Sequence, residues 1–228
     1  MFRSPIAVLA VAAALSPALF AATEADKRLD AAADLVTDMM NASDKGIPQD
    51  LLNRSECVVL IPGLKKAAFV VGAKFGRGFA ECRHQDGKGW GAPAADRMEG
   101  GSVGFQIGAS EQDVLLLIMN ESGMKRLLAD KFTVGAEMTA AAGPVGRDAT
   151  AQTDAVMRAE MLSYSRSRGL FAGISLQGAT LRPDVDANEE MYGKALTNKE
   201  IITTDVKPPA AADKLENLMD RNSVRKTK

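Results

Sequence analysis

A chain of 228 residues with 46% hydrophobic content is long enough for one real core and too short for a second independent domain. Its formal net charge of −1 supplies no global basic field to gather nucleic acid, and its 5% aromatic content leaves no basic stretch interleaved with stacking residues. Electrostatic steering therefore has to come from local patches.

Residues 1–21 read as a secretory signal peptide. Arg3 gives a positive start, Ile6 to Leu15 is an apolar run too short to span a bilayer, and Ser16 to Ala22 is small and helix-breaking. Cleavage after Ala21 leaves Leu19 at the minus-three position, an imperfect pattern, so the site could shift by a residue. The first cysteine is Cys57, so a lipoprotein's acyl chains have no attachment point near the cleavage site. The expectation is a soluble periplasmic or secreted protein.

One domain is expected over residues 22–206, followed by a mobile tail over 207–228. Leu29, Ala33, Val36 and Met40 repeat at helical spacing with Thr23 available as N-cap, which predicts an amphipathic helix over 25–40. Asp26, Asp30, Asp34 and Asp38 stack like charges along its polar side, so core packing is favoured over insertion into an anionic bilayer. Pro48 to Asn53 starts a second, short helix.

Beyond Ser55 the pattern turns strand-like: Cys57 to Ile61, Phe69 to Cys82, Ser102 to Ala109, Val114 to Met119, Phe132 to Ala140, Val156 to Ser165 and Leu170 to Leu181. Phe69, Val71, Ala73, Phe75 and Phe79 share one face; Val70, Gly72, Lys74, Gly76 and Gly78 share the other. A face so bare suggests sharp coiling, bulges or close approach of another segment. The fold class expected is α+β: a strongly curved, mostly antiparallel, Gly-rich sheet or partly closed barrel with flanking helices. Val70 to Phe75 is echoed by Thr133 to Met138, as if these were equivalent strands. Short helices are expected at Ser122 to Lys131 and Asp184 to Ala195, with a marginal one at Asp213 to Met219 inside the tail.

Cys57 and Cys82 both fall on expected strands and could pair, adding about 3 kcal/mol in the chain-entropy model, provided their Cα atoms approach closely enough. Cys82, His84 and Asp86 alternate as a metal trio would, but the spacing is not that of a closed zinc site and a polar hairpin tip explains it. No metal or cofactor is expected. No nucleophile elbow, phosphate loop or zinc-protease helix appears, and Asp113, Glu137 and Glu160 are the carboxylates left for acid-base work, so no enzymatic activity is expected.

The segment Ser163 to Gly178 joins a basic, hydroxyl-rich head to an alternating apolar strand. Guanidinium forks and serine hydroxyls at a strand end could chelate a phosphate or carboxylate headgroup beside an apolar wall. The same residues also suit a solvated hairpin end.

An ordered set of pieces surrounds that segment: Ile61-Pro62-Gly63, Gly72, Gly76-Arg77-Gly78, Gly89-Trp90-Gly91-Ala92-Pro93, Gly100 to Gly108 with Asp113, Gly135-Ala136-Glu137, Ala142-Gly143-Pro144-Val145-Gly146-Arg147, Arg182-Pro183-Asp184, Asn188 and Tyr192-Gly193. In this order they resemble the SYLF family of lipid-binding domains, here as an exported single-domain member of the bacterial kind. The resemblance implies binding of phosphoinositides or other acidic phospholipids, with Tyr164, Ser165, Arg166, Arg168, Gly169 and Phe171 as site residues and Lys74 and Arg77 adding to the basic rim. An exported member would meet anionic phospholipid or fatty acid, in a cavity or at a membrane surface. The SH3 and FYVE modules of eukaryotic members have no counterpart here, so actin or SH3-type partners are not expected. The rival expectation is a periplasmic protein-interaction or envelope-stress scaffold without a lipid ligand.

Overall fold

A computed structural model of the chain describes residues 22–42, 46–84, 89–146, 154–204 and 206–223, with side chains throughout except at 68–71 and 102–107. The expected leader, Arg147, Asp86 and the last five residues lie outside them.

Two long strands, β1 (Cys57–Cys82) and β2 (Ala94–Ile118), pair antiparallel into one ribbon. Each is far longer than the roughly three to ten residues usual for a strand. The break expected after Ile61 is absorbed by register shifts between Ile61 and Leu64 and between Phe69 and Val70. At the first shift Gly63 adopts φ 63° and donates its N–H to the Asp113 carboxylate at 2.9 Å, so Pro62-Gly63 passes without ending the strand.

The ribbon then folds back on itself. A Cβ on Gly78 would sit 1.8 Å from the Leu60 carbonyl oxygen, and one on Gly76 would sit 2.6 Å from Ile61 Cγ2. Only hydrogen side chains allow that crossing, which is why Ile61-Pro62-Gly63 and Gly76-Arg77-Gly78 occur together. Cys57 and Cys82, the first and last residues of β1, form a disulfide with Cα atoms 4.0 Å apart. Beside it the Arg83 N–H donates to the Glu56 carbonyl at 2.9 Å.

Shorter strands complete a seven-stranded, strongly curled half-barrel. β5 (Met161–Ser167) pairs with one arm of β2 and β7 (Thr180–Pro183) with the other. β3 (Phe132–Thr133) extends from β7; β4 (Ala140–Ala142) runs parallel to β5, and β6 (Leu170–Gly173) antiparallel to it. The architecture is α+β, as expected. Both faces of the central ribbon are buried: Val58, Leu60, Leu115 and Leu117 look towards the helices, while Val59, Ile61, Val114 and Leu116 fill the opposite cluster. Continuous apolar runs such as Cys57 to Ile61 are the signature of that double burial.

Helix α1 (Glu24–Asn41) starts at Thr23, whose hydroxyl accepts from the Asp26 N–H while the Asp26 carboxylate accepts from the Thr23 N–H. It buries Leu29, Leu35, Val36 and Met39 on the sheet beside α2 (Gln49–Arg54). Further helices are α3 (Glu121–Leu127), α4 (Asp154–Arg158), α5 (Val185–Tyr192), α6 (Asn198–Thr203) and α7 (Asp213–Asn222), the last preceded by a 3-10 turn at Ala210–Ala212.

Several expectations change. Thr133 to Met138 is a turn around Gly135 at φ 84°, not a second copy of the Val70 strand. Val156 begins in α4, and the strand expected from Leu170 to Leu181 breaks after Gly173. Residues 207–223 pack against the body: α7 buries Leu215 and Met219, and the Lys214 ammonium lies 2.9 Å from Asp34 and 3.9 Å from Asp30. The acidic stripe of α1 is thus counter-charge for α7 and, at Asp38, for Arg166.

Candidate functional site

The signature segment forms the β5–β6 hairpin, closed by the two-residue turn Arg168-Gly169 between the paired Ser167 and Leu170. Their φ values of 51° and 78° are those of a type I′ turn, whose twist matches the strands it joins. Gly169 adopts this freely; Arg168 does so as the non-glycine exception among the described residues. Tyr164 is fully buried, with its ring so close over Gly143 that a Cβ there would lie 2.0 Å from Cζ. Burial pushes its hydroxyl ionisation far up, and the hydroxyl has no hydrogen-bond partner. Ser165 and Phe171 are buried as well. Arg166 donates from Nε to Asp113 at 2.8 Å and pairs with Asp38, so its charge is consumed within the fold. Of the residues the signature singles out, Arg168 alone presents a free charge to solvent, beside Leu170, which is 61% exposed.

The two further basic positions divide. Arg77 lies 3.1 Å from the buried Asp184 carboxylate. That acid adjoins a polar network in which Asn188 accepts from the Ala95 N–H at 2.7 Å and Asn198 donates to Asp96 at 3.0 Å. Burial, reinforced by the neighbouring Asp184, pushes the Asp96 carboxyl well up. Arg182-Pro183-Asp184, Asn188 and Arg77 therefore tie α5 and α6 to the ribbon.

Lys74 instead lines an open groove of about 530 Å³ at the ribbon bend, together with Lys65, Lys66 and Glu111. Its apolar lining is Phe75, 46% exposed, with Ala67, Ala73 and Ala109. The Lys74 stem runs over Gly100, where a Cβ would meet Cε at 2.6 Å, so that glycine fixes the path of the side chain. Burial lowers the Lys66 and Lys74 ammonium pKa values, and the Lys66 charge lowers that of Lys74 further. Among the described residues these lysines make no ion pair. β5 leaves β2 at the Asp113–Arg166 pair, which directs the Arg168-Gly169 turn along β2 towards Glu111, the end that carries the groove.

A contrasting polar cluster lies where the ribbon ends meet α7. Glu81 is buried with both carboxylate oxygens unpartnered, and burial, then the nearby Glu216 and Asp220, push its carboxyl well up. Burial and then Asp213 and Asp220 raise Glu216 to about 7. Asp220 accepts from the Trp90 N–H at 2.9 Å, and the Arg83 guanidinium stacks 4.4 Å from the Trp90 ring centroid while donating to the Ser55 and Ser223 carbonyls.

The candidate acid-base carboxylates are engaged structurally. Glu160, which burial alone would raise, is held at about 2 by hydrogen bonds from the Ser122 hydroxyl and from Thr139. Glu137 accepts from the Thr133 N–H at 2.7 Å, and Asp113 pairs with Arg166. The Cys82 sulfur is spent in the disulfide, and among the described residues no three His, Cys, Asp or Glu side chains stand where they could hold a metal ion. Among the same residues no helix is long and apolar enough to cross a membrane.

Residues 99–222 match the family model described as Ysc84, Las17-binding protein actin regulator. This chain belongs to the Ysc84/SYLF family. It is 33% identical over 181 residues to LAS seventeen-binding protein 3 of Saccharomyces cerevisiae, covering 78% of this chain and 39% of that protein. It is 31% identical over 181 residues to SH3 domain-containing YSC84-like protein 1 of Homo sapiens, covering 79% and 52%. An SH3 domain-containing protein of Schizosaccharomyces pombe is 35% identical over 177 residues, covering 76% and 41%. The chain thus spans about two fifths to one half of these relatives.

The family description names a binding protein and actin regulator. That overturns the expectation that actin or SH3-type partners are foreign to this chain. The expectation rested on accessory modules, whereas the family model matches residues 99–222 of the domain itself.

Proposed function

We propose that this chain is a non-enzymatic module that binds anionic lipid at the groove of Lys65, Lys66 and Lys74. The observation that carries this reading is three ammonium groups, free of ion pairs among the described residues, converging on an apolar-lined groove. Burial and then the Lys66 charge disfavour the Lys74 ammonium, and an anionic headgroup would supply the counter-charge. Arg168 and Leu170 extend the same character along the sheet end. Binding to vesicles of phosphatidylglycerol in phosphatidylcholine tests the reading, with pure phosphatidylcholine as control. Each lysine near a charged bilayer is worth about 1 kcal/mol, so Lys65→Ala, Lys66→Ala and Lys74→Ala together should cost at least about a hundredfold at low salt. Unchanged binding by the folded triple variant overturns it.

Export to an oxidising compartment belongs to the same proposal. A disulfide persists most readily there, and the start of the sequence has the charge and length of a leader. The mature protein should begin near Ala22 or Thr23 and be freed by osmotic shock; an intact N-terminus on a cytoplasmic protein overturns this part.

The second reading is an actin-regulatory protein partner, of the kind the relatives' names print, and the family match over 99–222 is what favours it. It predicts a saturable protein ligand and no lipid in organic extracts of the purified chain.

A further inference from the structure

The groove has a definite charge. Among the described residues, three lysines against the carboxylate of Glu111 leave it formally at +2. Glu111 leans out over the Gly63 turn, where a Cβ would lie 2.9 Å from its Oε1, so the carboxylate rests against the bulge. Lys74 is steered by Gly100 on one side and crowded by the Lys66 charge on the other. Among the described residues no arginine lines the groove. A guanidinium fork suits planar bidentate recognition, whereas ammonium groups are compact charges with three donors each, free to surround one tetrahedral anion.

Common anionic headgroups differ in the charge on phosphorus. A phosphodiester, as in phosphatidylglycerol, carries one negative charge at any pH near neutrality. A phosphomonoester carries about −1.5 to −2, because its second proton leaves near pH 6. Beside ammonium groups that proton leaves earlier still, since nearby positive charge favours the ionised form. A monoanion leaves one positive charge of the groove unmet, while a dianion neutralises it. The exposed alanines and Phe75 then give the glycerol and first methylenes an apolar wall, which a free phosphate ion does not use.

We infer that the groove of Lys65, Lys66 and Lys74 selects lipids bearing a phosphomonoester headgroup, of the phosphatidic acid type, over phosphodiester lipids of the same membrane. This inference rests on the lipid reading above and adds a headgroup class to it. Lys74, over Gly100, is the residue that sets the selection.

The test measures binding of the full chain at pH 7.5 to phosphatidylcholine vesicles containing either phosphatidic acid or phosphatidylglycerol, with mole fractions adjusted until the two vesicle types have equal zeta potential. Phosphatidic acid vesicles should bind about fivefold more tightly, the worth of roughly one additional charge contact. The preference should shrink at pH 5.5, where the headgroup regains a proton. Lys74→Arg, which keeps the charge and changes its shape, should lose most of the preference and keep its phosphatidylglycerol binding. Equal affinity at equal zeta potential overturns the headgroup assignment and leaves the lipid reading standing. Binding to neither vesicle type overturns both. Glycerol 3-phosphate in solution is the last arm: competition only at concentrations far above the lipid supports a membrane headgroup. Competition at equal concentration makes the groove a site for a soluble phosphomonoester and overturns the assignment to lipid.

Discussion

The two ends of the β1–β2 ribbon carry opposite charge in opposite settings. At the bend, Lys65, Lys66 and Lys74 stand around an open groove, outnumber the Glu111 carboxylate and make no ion pair among the described residues. At the other end, where the disulfide joins the ends of β1, the buried Glu81 faces Glu216 and Asp220 of α7, and its carboxylate has no hydrogen-bond partner. The bend is open to water, which screens its cations and leaves them available to a ligand, although part-burial still disfavours the Lys66 and Lys74 ammonium groups. At the buried Glu81 there is no such relief, and burial, then the nearby Glu216 and Asp220, push its carboxyl well up. Unpaired charge at an exposed end is a binding resource, while at a buried end it becomes a titratable term in stability.

The largest effect expected comes from breaking the crossing that holds the two ends apart. Gly78→Ala forces a methyl group against the Leu60 carbonyl, and overpacking of that kind costs about 3 kcal/mol. Urea denaturation should show this as a lower midpoint, with vesicle binding lost in parallel as the bend loosens. A normal midpoint would mean that the ribbon relieves the contact cheaply and that the two ends are less coupled than the crossing implies.

Next comes Arg166→Glu, which contrasts an arginine consumed by the fold with lysines left free. The substitution sets a third carboxylate beside Asp38 and Asp113, and about 2 kcal/mol should be lost, allowing for partial exposure of the pair. A thermal midpoint equal to the parent's would return Arg166 to the list of free cations.

This reversal shows what the sequence could and could not disclose. The curved α+β sheet was legible because apolar alternation and bare glycine faces are local properties, read two residues at a time. Pairing of Cys57 with Cys82 was open, since it depends on β1 folding back until its first and last residues meet. The signature head at Ser165 to Arg168 looked like a rim because arginine and serine are usually solvated. Its outcome was decided by Asp38 and Asp113, which are more than fifty residues away in the chain and brought close only by the packing of α1 and the β2–β5 register. The two-residue period puts Phe75 and Phe79 on one face, yet Phe79 is buried while Phe75, at the bend, is exposed. The helix at 213–222 looked marginal because its stabilisation comes from tertiary contacts with α1 and not from its own propensity.

The acidic end gives a smaller, pH-dependent effect. Folding raises the carboxyls of Glu81 and Glu216 above their unfolded values, so the folded state binds more protons there. Their contribution is fully present below the unfolded carboxylate range and is lost as pH rises through the folded value, about 7 for Glu216. Stability should therefore fall between about pH 4.5 and pH 7, the span from the unfolded to the folded value of Glu216. For the half-exposed Glu216 the loss is about 1–2 kcal/mol after allowing for screening. Glu81→Gln with Glu216→Gln should flatten the profile. Trp90, the single tryptophan of the chain, reports it through its fluorescence, because Asp220 of α7 holds its backbone. A profile of unchanged slope in the double variant would place the titrating groups elsewhere.

The smallest effect on stability, and the one that most sharpens the contrast, belongs to Lys74→Ala. Burial and the Lys66 charge both disfavour the Lys74 ammonium in the folded protein, so its removal relieves repulsion at the same time as it loses the contact of the stem with Gly100. These two changes oppose each other, and the thermal midpoint should stay within the equivalent of about 0.5 kcal/mol of the parent. Affinity for anionic vesicles should nevertheless fall about fivefold at low salt, and the difference should fade as salt screens the groove. A side chain kept for the fold gives the reverse pattern, with stability falling and binding following only as the protein unfolds. If Lys74→Ala lowers the midpoint as far as Arg166→Glu does, the lysines of the bend are structural cations after all, and the asymmetry between the two ends of the ribbon disappears.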